Sequence, residues 1–249
     1  MKTSTLYLTN ANVTLTTYIL DASEQMAPAR VRPAVLICPG GGYFMCSERE
    51  AEPVAMAFLA QGYHAFILRY TVGQNAAFPR PLNDAEEALA LIRENAEEWG
   101  VDGEKIAACG FSAGGHLAAA LGTMGRLRPN ALILGYPCIL DSMSPILAAP
   151  IPSLEKKVDQ RTPPAFIFAT AKDRLVPVEN SLQFAAALAR AGIPFELHVF
   201  QEGIHGLSLA KALTANGQRT MVDANAASWV ELCAAWLKTV FGDFAAAAE

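Results

Sequence analysis

The sequence has few histidines, no excess of positive charge and no long apolar run. It contains 4 His, and its 19 Lys and Arg stand against 24 Asp and Glu, a formal net charge of −5. A chain without a basic excess lacks the electrostatic footprint that nucleic acids require, so we expect no nucleic-acid partner. No run approaches the roughly 18 apolar residues of a membrane-spanning helix, and the N-terminus lacks the apolar core of a signal peptide. These absences predict a cytoplasmic protein with no membrane partner.

Paired cysteines are also missing. The sequence has five cysteines, at positions 38, 46, 109, 138 and 233. Their spacing matches neither a disulfide framework nor a metal site. Cys38, Cys109 and Cys138 lie in or beside apolar runs, so we expect them to be reduced packing residues. The sequence therefore implies no metal.

A serine between glycines is the most informative motif that is present. The segment 110–114 reads GFSAG, follows the apolar run 105–109 and precedes a helix-forming segment. This pattern is typical of a nucleophile elbow, a sharp strand-to-helix turn that exposes the hydroxyl of Ser112 above a helix N-terminus. Five residues alone are modest evidence, so the interpretation requires a base and an acid elsewhere in the chain.

Each of the four histidines is a candidate for the base. His64 and His198 lie in strand-like runs, and His116 lies one helical turn beyond the serine and below it. We expect these three to be packing or structural residues. His205 lies in the glycine-flanked segment 202–206, after the last predicted strand, where an imidazole can reach over the end of the sheet. It is the predicted general base.

The predicted acid is Asp173. It follows the apolar run 164–170, at the carboxyl end of a predicted strand, which is where open α/β sheets place functional residues. The alternative acid is Asp141, after the strand 131–136, and a turn role or a surface pair with Arg174 would be the non-catalytic account of Asp173. Asp173 is favoured because it follows the last strand but one and the histidine follows the last.

Three consecutive glycines follow the predicted strand 33–38. Glycines allow backbone N–H groups to point into a site, which the stabilisation of a tetrahedral oxyanion requires. The amides of Gly41 and Gly42, together with that of Ala113, are the predicted donors. No Lys-Ser or Lys-Thr pair follows, so the loop is not a Walker-type phosphate loop, and a dinucleotide fingerprint is absent. No organic cofactor is implied.

These parts occur in an order that resembles the α/β-hydrolase fold esterases. The motifs are PGGGY at 39–43, GFSAGGH at 110–116, KDRLVP at 172–177 and EGIHG at 202–206. The chain is most similar to the acetyl-esterase and carbohydrate-esterase branch, which includes acetylxylan esterases and is related to the hormone-sensitive-lipase-like group. The resemblance covers about residues 30–240 and implies a carboxylic ester hydrolase that acts on small-molecule esters or acetylated oligosaccharides. Lipase-like members usually have His before the three glycines, whereas this chain has Pro39, which favours deacetylation of sugars.

Apolar runs alternate with helical patterns along the chain, which predicts an α/β fold with a mostly parallel sheet and helices on both faces. Eight strands are expected: two antiparallel strands within 4–20, and others at 33–38, 63–70, 105–109, 131–136, 164–170 and 194–200. Helices are expected at about 48–61 and 84–99, after Ser112, and at about 178–191 and 223–240. We expect a single domain, 1–249, with a frayed tail at 244–249 and exposed edge strands compatible with a homodimer.

The insertion between two of these strands is short. The segment 138–163 has room for a small flap at most, and too few residues precede Pro39 for an N-terminal cap. An open cleft suits a bulky, polar alcohol such as a sugar. Tyr43, Phe44 and Met143, and also Met45, are candidate substrate contacts, with core packing as an equally good account.

Two other functions stay open at this point. A peptidase of the prolyl-oligopeptidase type shares the fold and the order of the triad, but normally gates its site with a propeller domain. A non-catalytic ligand-binding homologue would have lost a member of the triad, and the presence of Ser112, Asp173 and His205 argues against it.

Overall fold

The strands of the chain join in one sheet. We describe residues 1–244 of a computed structural model, so the predicted frayed tail lies outside the described residues except for Phe244. In chain order the strands are β1 (Lys2–Tyr7), β2 (Thr14–Ile19), β3 (Arg32–Cys38), β4 (His64–Arg69), β5 (Val101–Phe111), β6 (Ala131–Gly135), β7 (Ala165–Thr170) and β8 (Phe195–Phe200).

The order of the strands in the sheet is β1-β2-β4-β3-β5-β6-β7-β8. The strand β2 is antiparallel to both of its neighbours, β1 and β4. All other neighbouring strands are parallel. The predicted N-terminal antiparallel pair and the predicted eight-stranded, mostly parallel sheet are confirmed.

Residues 1–244 contain seven α-helices, the last two of which follow the final strand. They are α1 (Glu52–Leu59), α2 (Arg80–Glu94), α3 (Ala96–Trp99), α4 (Ala113–Met124), α5 (Glu179–Ala191), α6 (Ala224–Ala227) and α7 (Trp229–Phe241). Short 3₁₀ turns lie at Glu24–Ala29, Glu48–Glu50, Gly73–Asn75, Asp141–Ile146, Ala212–Thr214 and Arg219–Met221.

Helix boundaries differ from the predicted ones at three places. The predicted helix 84–99 consists of α2 and, after Asn95, of α3. The helix α2 begins four residues earlier than predicted, because Pro81 fits its first turn, where no backbone N–H is needed. The predicted helix 48–61 consists of the 3₁₀ turn Glu48–Glu50 followed by α1. The predicted helix 223–240 is divided at Ser228 into α6 and α7.

Two hydrophobic cores lie on opposite faces of the sheet. In β5, Ile106 and Ala108 point into one core, while Ala107, Cys109 and Phe111 point into the other. This alternation follows from the two-residue period of a strand. The first core is completed by α2, α4 and α5, and the second by α1 and α7. The predicted placement of helices on both faces is therefore confirmed.

The parallel strands bring four loops to one edge of the sheet. Chain segments that leave the carboxyl ends of parallel strands meet at the same edge. The glycine loop follows β3, Ser112 follows β5, Asp173 follows β7 and His205 follows β8. The topology therefore explains how residues from distant parts of the sequence come together.

None of the helices within residues 1–244 has the length and apolarity needed to cross a bilayer.

The five cysteines carry free thiols, and all except Cys46 are buried, in agreement with their predicted packing role.

Candidate active site

Ser112 has a strained backbone at the junction of β5 and α4. Its φ of 53° and ψ of −119° lie in a region that a residue with a side chain rarely adopts, at a cost of about 1–3 kcal/mol. The backbone is held by hydrogen bonds from the Ser112 amide to the Gly135 carbonyl and from the Cys138 amide to the Ser112 carbonyl, both 3.0 Å. The strained turn points the hydroxyl away from the sheet, as the elbow motif predicts.

The glycines around Ser112 are required by close backbone contacts. A Cβ atom on Gly110 would lie 2.1 Å from the Gly114 carbonyl oxygen, and a Cβ atom on Gly114 would lie 2.0 Å from the Cys38 carbonyl oxygen. Both distances are far below van der Waals contact. The helix α4 can pack this closely on β3 and β5 only because these positions lack side chains.

Ser112, His205 and Asp173 form a continuous line of hydrogen bonds. His205 Nε2 is 2.8 Å from Ser112 Oγ, and His205 Nδ1 is 2.7 Å from Asp173 Oδ2. Because a carboxylate only accepts, Nδ1 carries the proton and the Nε2 lone pair faces the serine hydroxyl. In this tautomer the imidazole can take the proton of Ser112.

The carboxylate of Asp173 is fixed by its own backbone contacts. Its side chain is 1% exposed. Oδ1 accepts the amides of Leu175 (2.9 Å) and Val176 (3.0 Å), which leaves Oδ2 for the imidazole. The alternative acid, Asp141, is instead exposed and lies 3.7 Å from the ammonium group of Lys156.

The other three histidines lie outside this line. His116 is buried, and its Nε2–H donates to the Pro152 carbonyl (3.1 Å) while Nδ1 accepts the Tyr43 hydroxyl (2.8 Å). Burial lowers the pKa of His116 to about 4, so the ring is neutral. His64 is likewise buried, with a pKa lowered to about 4 by burial, and His198 pairs with a neighbouring glutamate on β8.

The glycine loop has a backbone that only glycine adopts readily. Gly41 and Gly42 have φ values of 124° and 65°, and a Cβ atom on Gly41 would lie 2.2 Å from the Met45 carbonyl oxygen. Among the hydrogen bonds of residues 1–244, none uses the amides of Gly41, Gly42 or Ala113. These three predicted donors are therefore available to a ligand beside Ser112.

A cavity of about 370 Å³ opens above the serine. Its wall includes Ser112, His205, both predicted oxyanion glycines and a set of apolar side chains, Phe44, Met45, Ile146, Leu147 and Leu175. A second cavity, of about 690 Å³, shares His205 and Leu175 with the first. Among residues 1–244, no group of three or more His, Cys, Asp and Glu side chains is arranged to hold a metal ion.

The predicted substrate contacts divide into two groups. Phe44 is 60% exposed and, with Met45, lines the cavity. Tyr43 and Met143 do not line it, because both are buried in the core, where the Tyr43 hydroxyl contacts His116 and Met143 Sδ lies 3.5 Å from Asn180 Nδ2.

Three of the apolar wall residues were not predicted from the sequence. Ile146 and Leu147 lie in the segment treated as a flap, at the end of the 3₁₀ turn Asp141–Ile146. Leu175 lies two residues after Asp173. Its position in the loop, two residues after the acid, was the signal that could have identified it, since apolar residues next to site residues commonly contact ligands.

Two family models match the chain, one in each half. The segment 20–132 matches the model described as BD-FAE, and the segment 148–243 matches the Prolyl oligopeptidase family. The first segment contains the glycine loop and Ser112, and the second contains Asp173 and His205.

The curated relatives are considerably longer than this chain. Endo-1,4-beta-xylanase B of Butyrivibrio fibrisolvens is 40% identical over 211 residues, which cover 72% of this chain and 33% of the relative. Acetylxylan esterase of Xylanibacter ruminicola is 31% identical over 195 residues, covering 70% of this chain and 40% of the relative. The chain thus spans between a third and two fifths of these two proteins.

Solved structures match over almost the whole length. MGS-M1, an alpha/beta hydrolase enzyme from a Medee basin deep-sea metagenome library, is 46% identical with a TM-score of 0.92, covering 96% of this chain and 98% of that one. The acetyl ester-xyloside bifunctional hydrolase from Caldicellulosiruptor lactoaceticus is 35% identical with a TM-score of 0.78, covering 92% and 89%. Fold, motifs and relatives agree, and the chain belongs to the α/β-hydrolase family, in its acetyl-esterase and carbohydrate-esterase branch.

Proposed function

We propose that this chain is a serine carboxylesterase that hydrolyses short-chain esters, chiefly acetyl esters of sugars or oligosaccharides. The observation that carries the proposal is the hydrogen-bonded line from Ser112 through His205 to Asp173, with distances of 2.8 and 2.7 Å. A nucleophile, a base in the correct tautomer and an orienting carboxylate are the groups that acyl transfer requires.

Acylation begins with attack by Ser112 on the ester carbonyl. His205 Nε2 takes the hydroxyl proton as the Oγ–carbon bond forms, and the imidazolium is stabilised by the buried carboxylate of Asp173. The amides of Gly41, Gly42 and Ala113 donate to the carbonyl oxygen as it becomes negative. Because these donors are fixed before the reaction, they stabilise the charge without reorganising.

The acyl-enzyme then forms and is hydrolysed. His205 returns its proton to the alcohol oxygen as the carbon–oxygen bond of the ester breaks, and the alcohol leaves. Water, deprotonated by the same imidazole, attacks the acyl-serine; the imidazolium then protonates Ser112 Oγ as the acyl–oxygen bond breaks, which releases the carboxylic acid and restores Ser112. No step requires a metal or an organic cofactor.

The shape of the site supports a short acyl group and a bulky alcohol. The cavity above Ser112, about 370 Å³, lies near the lower end of the usual range for ligand sites. The leaving oxygen must approach His205 to receive its proton, so the cavity of about 690 Å³ that His205 also lines would hold the alcohol. Leu175 and Ile204 are apolar side chains in its wall, against which the C–H face of a sugar ring can pack, and Lys172 and Arg174 line it as well.

The names of the relatives support the same substrate class. One curated relative is an acetylxylan esterase, and one structural neighbour is an acetyl ester-xyloside hydrolase. The Prolyl oligopeptidase family model matches residues 148–243, but the acetylxylan esterase and the acetyl ester-xyloside hydrolase do not favour a peptidase. The cytoplasmic location, the homodimer, the single domain and the flap at 138–163 stay predictions from the sequence.

A panel of substrates tests the proposal. We expect kcat/KM to be highest for 4-nitrophenyl acetate and to fall as the acyl chain lengthens, because the apolar wall leaves little room beyond a short chain. Acetylated xylo-oligosaccharides should release acetate. Faster hydrolysis of octanoyl than of acetyl esters would contradict the short-chain assignment, and faster cleavage of a proline-containing peptide amide would favour the peptidase.

A further inference from the structure

Glu50 is a buried carboxylate beside the site, and the mechanism above gives it no role. It ends the 3₁₀ turn Glu48–Glu50, shortly after the glycine loop, and is 3% exposed. It also forms part of the wall of the cavity above Ser112. Burial of a carboxylate is costly unless hydrogen bonds replace its hydration, so its contacts indicate what it does.

Both oxygens of Glu50 accept hydrogen bonds from parts of the site. Oε2 accepts the Gly40 amide at 2.8 Å, and Oε1 accepts the Tyr136 hydroxyl at 2.5 Å. Since both partners donate, a carboxylate satisfies both, whereas a glutamine would direct its NH₂ group at one of the donors. The position therefore requires a group that accepts at both of its side-chain atoms, as a carboxylate does.

Tyr136 contacts both Glu50 and the general base. Its ring packs edge-on against the imidazole of His205, with centroids 5.1 Å apart and an interplanar angle of 74°. Its hydroxyl also accepts the amide of Ser208, three residues after His205, at 2.8 Å. Burial, followed by the charge of Glu50, raises the pKa of Tyr136, so the phenol keeps the proton that it donates.

Arg49, the residue before Glu50, also binds the segment that follows His205, through its guanidinium and its backbone carbonyl. Its guanidinium donates to the carbonyl oxygens of Gly206 (2.8 Å) and Thr214 (2.9 Å). Its own carbonyl accepts the hydroxyl of Ser208. The 3₁₀ turn Glu48–Glu50 therefore contacts the segment that follows His205 at several points.

We propose that Glu50 is a positioning residue that couples the oxyanion loop, through Gly40, to the general base, through Tyr136. It touches neither the reacting atoms nor the substrate carbonyl, and acts by holding donors and base in one geometry relative to Ser112. A misplacement of about 1 Å in such a geometry can cost about 10²-fold in rate. The inference rests on the proposed esterase function.

The test compares two buried glutamates. Glu86 on α2 is 6% exposed and accepts hydrogen bonds from Arg126, away from the cavities beside His205. Per active site titrated with a fluorophosphonate, we expect Glu50→Gln to lower kcat for 4-nitrophenyl acetate about 10- to 100-fold with KM within about twofold. Glu86→Gln should lower the Tm and leave kcat unchanged. A wild-type kcat per titrated site in Glu50→Gln, with only a lower Tm, would overturn the inference.

A second variant keeps the test decisive if Glu50→Gln does not fold. Tyr136→Phe removes the hydroxyl but keeps the ring against His205, and we expect a comparable fall in kcat. Where both single variants fold, the double variant should lose less than the product of the two losses, because both interrupt one contact. An unchanged kcat in Tyr136→Phe would overturn the link to the base. Failure of the wild-type chain to react with the fluorophosphonate would instead contradict the proposed function itself.

Discussion

At the scale of single residues, the site depends on the direction of a few hydrogen bonds. The tautomer of His205 follows from the carboxylate of Asp173, which can only accept from Nδ1. The position of that carboxylate follows in turn from the amides of Leu175 and Val176. Charge and direction, more than proximity alone, therefore decide whether Ser112 can be activated.

Replacement of the acid by its amide tests this dependence. We expect Asp173→Asn to lower kcat about 10⁴-fold with little change in stability, because an amide that donates to Nδ1 leaves a proton on Nε2, facing Ser112. Steady-state kinetics with 4-nitrophenyl acetate measure the effect. Asp141→Asn, at the alternative acid, serves as the control and should keep wild-type activity. Equal losses in the two variants would refute the assignment of the acid.

At the scale of elements, the glycine loop and the elbow are set by close backbone approach. A methyl group at Gly41 would meet the Met45 carbonyl oxygen at 2.2 Å, whereas one at Gly217 would meet nothing within 4 Å, although both glycines have positive φ. Alanine substitutions at the two positions therefore distinguish displacement of the oxyanion loop from the general cost of a side chain at positive φ.

This pair gives a matched experiment. We expect Gly41→Ala to lower kcat about 10²- to 10³-fold, the usual effect of losing one oxyanion donor. Gly217→Ala should cost about 1 kcal/mol or somewhat more in unfolding free energy, with kcat unchanged. Urea unfolding and kinetics on both variants supply the data. A Gly41→Ala enzyme with wild-type kcat would show that this loop does not form the oxyanion site.

Elements with a strong local pattern were predictable from the sequence. The strands around 105–109 and 164–170 are apolar runs, and the order of the site residues follows from the elbow and from the loops after the last two strands. The choice between substrate contact and core packing for Tyr43 was not predictable, because its partner His116 lies 73 positions away and is buried with it. The link from Glu50 to Tyr136 spans 86 positions, and neither residue belongs to a local motif.

At the scale of the whole molecule, two buried histidines couple stability to pH. Burial lowers the pKa of both His64 and His116 from the usual value of 6.5 to about 4. The unfolded chain therefore binds protons below about pH 6.5 that the folded chain does not bind until about pH 4. The stability that the neutral rings contribute is complete above pH 6.5 and is lost as the pH falls through this window.

This linkage predicts a loss of unfolding free energy between pH 7 and pH 5. A shift of one pKa unit corresponds to about 1.4 kcal/mol, so each histidine should contribute about 2 kcal/mol to the loss. Urea unfolding at the two pH values measures it. His64→Gln and His116→Gln should each reduce the pH-dependent part of the loss. An equal loss in the wild type and in both variants would exclude these two rings as its source.

The central claim is that Ser112 is the nucleophile of an ester hydrolase, and one measurement tests it most directly. The intact chain is treated with a fluorophosphonate, the adduct is located by peptide mass spectrometry, and the hydrolysis of 4-nitrophenyl acetate is followed in parallel. We predict a single adduct on Ser112, and for Ser112→Ala no adduct together with a fall in kcat of several orders of magnitude. An adduct at another residue, or a Ser112→Ala protein that keeps most of its activity, would contradict the account.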